Sequence, residues 1–317
     1  MLLFLLTFLI AITVTIFLTP MVRSFAPHIG AMDIPSERKV HRSETPRTGG
    51  IAIYGGLVAA IFCGLMLAGM SGIKINTRPI MGILLGGSLV VLVGLLDDMK
   101  GLNARTKLLW QTIAAVIAIY FGVEINFVTS PFNGLLPLGF FAVPLTLLWL
   151  VGMTNAVNLI DGLDGLAAGV TAISAATLFF VALRTHQLGA ALILLAVAGT
   201  ALGFLRYNFF PASIFLGDAG SYLLGFTLAC ASVIGVFKTT LVVALVIPLL
   251  ILGVPIFDTV FAVLRRLREK KNLFAPDNKH IHHLLLRAGL NQREAVMAIY
   301  IACFILSATA LIMALQK

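Results

Sequence analysis

Residues 145–165 read Leu-Thr-Leu-Leu-Trp-Leu-Val-Gly-Met153-Thr-Asn155-Ala-Val-Asn158-Leu-Ile-Asp161-Gly-Leu-Asp164-Gly165, and the apolar run Leu166–Leu183 follows. Both flanks are apolar enough to sit in lipid, yet two amides and two carboxylates stand between them. Unpaired polar groups are costly in hydrocarbon, so these four need partners or a water-filled mouth at a membrane surface. If the segment is helical, their three-residue spacing puts neighbours on one face, one turn apart. Gly162 and Gly165 weaken that helix where the carboxylates gather. A purely structural use is also open, as polar glue between helices through amide–carboxylate hydrogen bonds.

Composition supports the membrane setting. The 317 residues are 60% hydrophobic and only 11% charged, with mean hydropathy +1.04, whereas soluble domains carry about 25% charged residues. We read an all-α polytopic membrane protein, residues 1–317 forming one integral domain. Ten runs approach the roughly 20 apolar residues a span needs: Leu2–Thr19, Ile51–Met70, Pro79–Leu96, Leu108–Gly122, Leu138–Met153, Leu166–Leu183, Leu188–Leu205, Ser221–Phe237, Leu241–Leu264 and Ala295–Leu315. The first lacks a positive flank and a cleavage signature, so it reads as a span rather than a signal peptide. Pro248 and Pro255 predict a kink or break in the ninth. Cys63, Cys230 and Cys303 lie far apart inside apolar runs, which supports neither a zinc site nor a disulfide framework.

Lys and Arg set the orientation. With the loop after the first span placed in the cytoplasm, only Lys74, Arg78, Arg184, Lys238 and Lys317 of the 22 basic residues fall outside. Both termini are then external, and the cytoplasmic loops lie at approximately 20–50, 97–107, 154–165, 206–220 and 265–293. The acidic residues were not used in this count, and of 13 only Glu124 lies on the outer side. Carboxylates gathered on one side suit an active site facing the cytoplasm. The net charge of +9 follows the positive-inside bias and does not imply nucleic-acid binding.

Four further stretches lie on that side. Gly94-Leu-Leu-Asp97-Asp98-Met-Lys-Gly101 ends the third span; adjacent carboxylates repel and are stable beside a cation, and Mg²⁺ takes a few carboxylates plus phosphate oxygens. Simple capping of the next helix explains the pair equally well. Arg206-Tyr-Asn208-Phe-Phe-Pro-Ala-Ser-Ile-Phe215-Leu-Gly-Asp218-Ala-Gly-Ser221 opens the eighth span. There Asp218 is either a helix-terminal cap or a ligand, and Phe215 is either an interfacial anchor or a stacking face for a base. Pro276-Asp-Asn-Lys-His280-Ile-His282-His283 lacks the spacing of a common zinc motif, and we favour phosphate contact in a basic loop. Asp33-Ile-Pro-Ser-Glu-Arg38-Lys39-Val-His41 with Pro46-Arg47-Thr-Gly49-Gly50 is basic and turn-rich, and alone reads as positive-inside charge. Carboxylates for a metal, cations for phosphates and an aromatic for a base together suggest phosphoryl-type chemistry on a nucleotide-linked donor, carried by positioning and electrostatics.

In this order, the segments Arg38-Lys39…Pro46-Arg-Thr-Gly-Gly, Leu96-Asp-Asp-Met-Lys-Gly, Asn155-Ala-Val-Asn-Leu-Ile-Asp-Gly-Leu-Asp-Gly, Phe215-Leu-Gly-Asp-Ala-Gly-Ser and His280-Ile-His-His resemble the polyprenyl-phosphate N-acetylhexosamine-1-phosphate transferase family. The resemblance implies transfer of a sugar-1-phosphate from a UDP-N-acetylhexosamine to polyprenyl phosphate in a bacterial cytoplasmic membrane, releasing UMP, with Mg²⁺ (or Mn²⁺). Residue by residue, it implies a catalytic set of Asp97, Asp98 and Asp161, with Asp97 as base toward the lipid phosphate. Asp98 and Asp218 would bind metal. Asn155, Asn158, Asp161 and Asp164 would line the uridine and ribose side, and Asn208 and Phe215 the uracil pocket. His280, His282 and His283 would hold the diphosphate or sugar. The His-Ile-His-His pattern looks like the branch using UDP-N-acetylglucosamine. The rival donor is the muramoyl-pentapeptide nucleotide, and the rival class is an ion-coupled transporter. A homodimer is compatible with all three.

Overall fold

The computed structural model describes residues 1–33, 44–130, 134–237, 246–270 and 280–315. Arg38, Lys39, His41 and the Pro276–Lys279 stretch lie outside them. The chain is helical almost throughout: α1 (Leu2–Ile29), α2 (Gly49–Met70), α3 (Thr77–Lys100), α4 (Ala104–Tyr120), α5 (Ala142–Ile160), α6 (Leu166–Arg184), α7 (Leu188–Asn208), α8 (Gly217–Ser232), α9 (Val246–Ile251), α10 (Gly253–Arg268), α11 (Ile281–Arg287) and α12 (Gln292–Leu315). Two small antiparallel hairpins, missed by the all-α reading, interrupt it: β1 (Met32–Asp33) with β2 (Thr45–Pro46), and β3 (Phe127–Ser130) with β4 (Gly134–Pro137).

Among the described residues, eight helices are long and apolar enough to cross a membrane: α1, α2, α3, α5, α6, α7, α8 and α12. Two of the ten expected spans are the difference. The fourth is α4, only 17 residues long. The ninth divides at Leu252 into α9 and α10, between Pro248 and Pro255, because proline cannot donate the hydrogen bond that would continue a helix through it.

The helices pack around α8, in which every residue from Ala219 to Ser232 is buried. α8 touches α2, α3, α5, α6 and α7, and residues without bulk allow it. A Cβ on Gly94 of α3 would stand 2.4 Å from the Ala219 backbone, and one on Gly50 of α2 would stand 2.3 Å from the Gly220 nitrogen. Close backbone approach through small residues is how helices associate where lipid offers no hydrophobic contrast. These contacts bring the polar end of α3 against the first turn of α8.

Candidate active site

Asp98, at the end of α3, takes the backbone N–H of Asp218 on Oδ1 at 2.9 Å and of Ala219 on Oδ2 at 3.1 Å. The first turn of α8 is thus capped from another helix, and the carboxylate sits at the positive end of its dipole. Asp218, for which capping and ligation were both open from sequence, is released from the capping task. Its Oδ1 accepts from Asn158 Nδ2 at 2.7 Å, and Asn158 also reaches Ser221 Oγ at 2.9 Å. Asp97 points elsewhere. Its Oδ1 accepts the Leu102 N–H at 2.7 Å, and its Oδ2 pairs with Lys107 of α4 and accepts from Tyr222 at 3.2 Å. Lys107 stands 3.4 Å from Asp218 Oδ2 as well, so it ties α3 and α8 together.

The opening stretch is helical only in part. α5 stops at Ile160, and Gly165, at φ 78°, turns the chain into α6; a side chain rarely adopts that backbone conformation. Asn155 and Asn158 therefore share α5, while Asp161 and Asp164 stand in the turn beyond. Asp164 Oδ2 accepts the Ala212 N–H at 2.9 Å. Asn208 joins the same two loops, accepting from Gly165 N–H at 3.1 Å and donating to the Ile214 carbonyl at 3.0 Å. Asn155 faces α4 instead, donating to Gln111 at 2.6 Å.

A third strand of chain closes the ring. The Phe215 N–H donates to the Pro46 carbonyl at 2.8 Å, and Gly49 and Gly50 donate back to the carbonyls of Phe215 and Leu216, both at 3.1 Å. This zipper places Arg47 beside the α8 terminus, where its Nε pairs with Asp33 Oδ1 at 3.2 Å.

Together these elements enclose a cavity of about 620 Å³ whose lining includes Asp33, Arg47, Asp98, Asn158, Asp161, Asp164, Asn208, Phe210, Phe215, Asp218, His283 and Gln292. Cavities of roughly 300–1,000 Å³ suit small-molecule ligands. Eight of the residues singled out from sequence line it. Asp97, Asn155, His280 and His282 do not. His280 is buried against Asp258, and His282 is buried with its ring against Gly162, where a Cβ would stand 2.2 Å from Nε2.

Burial first, then the Asp218 and Asp98 carboxylates, push the Asp161 carboxyl up to about 8. The His282 imidazole is driven the other way, to about 4, by burial and by the neighbouring His283 and His280. The first shift marks a place where negative charge is crowded and a cation would be welcome.

Among the described residues, no group of three or more His, Cys, Asp or Glu is gathered to hold a metal unaided. That excludes a dedicated protein cage there but fits Mg²⁺, which is commonly held by one or two carboxylates and completes its shell with water and substrate phosphate. Asp98 and Asp218 supply such hard oxygens on one wall.

Sequence reasoning quoted Asp33 and Arg47 in the basic entry stretch without giving either a site role, and missed Lys107, Tyr222, Gln292 and Asp258. Arg47 and Lys107 had been spent on the charge count. Asp258 carried a usable signal, a lone carboxylate inside an apolar run.

The family profile of glycosyl transferase family 4 matches residues 80–236, a span that holds α4 to α8 and all of α3 but its first three residues. A probable undecaprenyl-phosphate N-acetylglucosaminyl 1-phosphate transferase of Bacillus subtilis is 43% identical over 307 residues, covering 96% of this chain and 84% of the relative. A decaprenyl-phosphate N-acetylglucosaminephosphotransferase of Mycobacterium tuberculosis is 36% identical over 92% of this chain and 78% of its own length. An undecaprenyl-phosphate alpha-N-acetylglucosaminyl 1-phosphate transferase of Thermotoga maritima is 34% identical over 86% and 79%. With the five motifs in order and this coverage by relatives, the chain belongs to glycosyl transferase family 4, among the polyprenyl-phosphate N-acetylhexosamine-1-phosphate transferases.

Proposed function

We propose that this protein transfers N-acetylglucosamine-1-phosphate from UDP-N-acetylglucosamine to undecaprenyl phosphate or a similar polyprenyl phosphate, releasing UMP. The observation that carries the reading is one cavity with two characters. Asp98, Asp161 and Asp218 form an acidic wall, while Asn158, Asp164, Asn208 and Phe215 offer hydrogen bonds and a flat ring suited to a nucleoside. The relatives' names add the sugar and the lipid carrier.

In this reading an oxygen of the acceptor phosphate attacks the donor's β-phosphorus. The bond from that phosphorus to the α–β bridging oxygen breaks, and UMP departs with that oxygen. Asp161, half-buried and lining the cavity, takes a proton from the acceptor phosphate when one is present. This moves the base from Asp97, which lies outside the cavity lining, to a group inside it. Asp97 works instead through Lys107, holding the end of α3 against α8. Arg47 offers a planar fork to the diphosphate, and His283 reaches the diphosphate or sugar. Mg²⁺, with Mn²⁺ as a substitute, would be held by Asp98 and Asp218 and would neutralise the diphosphate as charge moves to the leaving group.

The positive-inside count supports a cavity at the cytoplasmic face with both termini outside, a reading that takes the short α4 and the broken α9–α10 pair as additional membrane-embedded segments. Purified protein should release UMP from UDP-N-acetylglucosamine only with polyprenyl phosphate and a divalent cation. EDTA, Asp98→Asn and Asp218→Asn should each abolish release. Full activity in either variant would sink the metal assignment, and turnover of the muramoyl-pentapeptide donor instead would sink the choice of sugar.

A further inference from the structure

Asp258 lies in α10, about 9% exposed, and no role in the proposed reaction falls to it. A buried carboxylate is tolerated only when its oxygens are satisfied, and here α11 satisfies both. Oδ2 pairs with His280 Nδ1 at 2.8 Å, and Oδ1 accepts the Ile281 N–H at 2.8 Å. Both partners stand at the very start of α11. That helix has seven residues and no side-chain cap of its own, and so short a helix does not hold its shape unaided. Asp258 therefore supplies the cap from a neighbouring element.

The consequence runs through the next residues. The His280 and His282 rings lie 5.9 Å apart and nearly parallel, and the His282 and His283 centroids are 4.3 Å apart. His282, 2% exposed, rests on Gly162, between the cavity carboxylates Asp161 and Asp164. Of the three histidines, only His283 lines the cavity. One run thus divides into an anchor, a spacer and a contact.

We propose that Asp258 is a positioning residue: its two-point hold on His280 and Ile281 seats α11 so that His282 closes on Gly162 and His283 faces the donor. It touches no substrate and acts through α11 alone. The role of His283 rests on the reaction proposed above; the seating of α11 does not.

Two measurements on the full-length protein in lipid nanodiscs separate these layers. In substrate-free protein, Asp258→Ala should speed amide hydrogen exchange across residues 281–287 by at least about tenfold while leaving the 94–100 and 217–222 segments protected. Unchanged exchange at 281–287 overturns the proposal, and so does loss of protection everywhere, because it would make Asp258 a general structural residue. With UDP-N-acetylglucosamine as donor, Asp258→Ala should lower kcat/KM about a hundredfold, the scale for a misplaced contact near 1 Å. The double variant with His283→Ala should lose no more than about threefold beyond His283→Ala alone, since residues acting through one contact are not additive. Additive losses overturn the proposal. Asp258→Asn, which keeps an acceptor for the Ile281 N–H, should recover most of the exchange protection and part of the rate. If wild-type protein releases no UMP, the reaction falls, and the exchange result still decides the seating of α11.

Discussion

Gly94→Ala is the sharpest test of how the site is assembled. A Cβ at this position would stand 2.4 Å from both the nitrogen and the Cα of Ala219 and 2.7 Å from the Asp218 carbonyl carbon. All three are backbone atoms, so no side chain can swing aside. Ordinary contact begins near 3.4 Å, and α3 and α8 must part locally by about 1 Å. Asp98, one turn further along α3, holds the Asp218 and Ala219 N–H groups at 2.9 and 3.1 Å, and a parting of that size takes both out of hydrogen-bond reach. Overpacking of this kind costs about 1–3 kcal/mol in stability, which a membrane bundle of this size should survive. The chemistry should suffer more, because about 1 Å of misplacement costs about a hundredfold in rate. The assay is UMP release at saturating donor and acceptor, alongside thermal unfolding in the same detergent. Gly69→Ala is the control, since nothing lies within 4 Å of its Cβ position and alanine favours a helix by about 1 kcal/mol over glycine. Gly94→Ala turning over within about threefold of wild type, in a protein as stable as wild type, would refute the claim that this glycine contact sets the position of Asp98.

Two further outcomes follow from the same geometry. His282 holds its imidazole at about 4, below its ordinary 6.5, so the unfolded chain binds the extra proton between those values; the associated stability is intact above about pH 6.5 and lost as pH falls toward 4, by at most about 3 kcal/mol. His282→Gln should flatten the fall in unfolding temperature between pH 7 and 4.5, and an unchanged slope would contradict the buried neutral ring. Arg47→Ala should raise KM for the UDP donor about tenfold or more, and Arg47→Lys should recover only part of it because the fork is lost; an unchanged KM would remove Arg47 from the diphosphate site.

The membrane class was legible because it depends on composition and run length, which are properties of the sequence alone. Most of the cavity was legible too, because Asp98, Asn158, Asp161, Asp164, Phe215 and Asp218 are polar or aromatic residues at the ends of apolar runs, and their occurrence together in ordered motifs outweighed capping or anchoring roles for each alone. What failed was the assignment of direction. Asp97 and Asp98 are neighbours, so on a helix they point about 100° apart; only the packing of α3 on α8 and α4 decides that Asp98 meets the cavity and Asp97 meets Lys107. Asn155 and Asn158 share a face by spacing, yet the Gln111 amide takes one and Asp218 the other. His280 and His282 fell outside the cavity for the same reason, since the partner that sorts the three histidines, Asp258, is 22 residues from His280 in sequence. Arg47 was hidden by a correct rule, because positive-inside charge accounts for a loop arginine without asking where it points.

The placement of these groups also explains how so many carboxyls persist at one site. Few of them rely on each other. Asp98 is held by two N–H groups of α8 and Asp164 by the Ala212 N–H. Backbone donors are fixed by the helices and turns that present them, and they take only part of a carboxylate's acceptor capacity, since each oxygen has two lone pairs. The remainder is oriented before any ligand arrives, so little reorganisation is required when charge develops, which is the condition under which preorganised dipoles lower a barrier most. Asp161 stands in the turn after α5, where burial and the Asp218 and Asp98 carboxylates raise its carboxyl to about 8, so a cation entering the cavity favours its charged form. A site built this way holds its hydrogen-bonded walls in place while the charge within it adjusts to the cation and phosphates that enter.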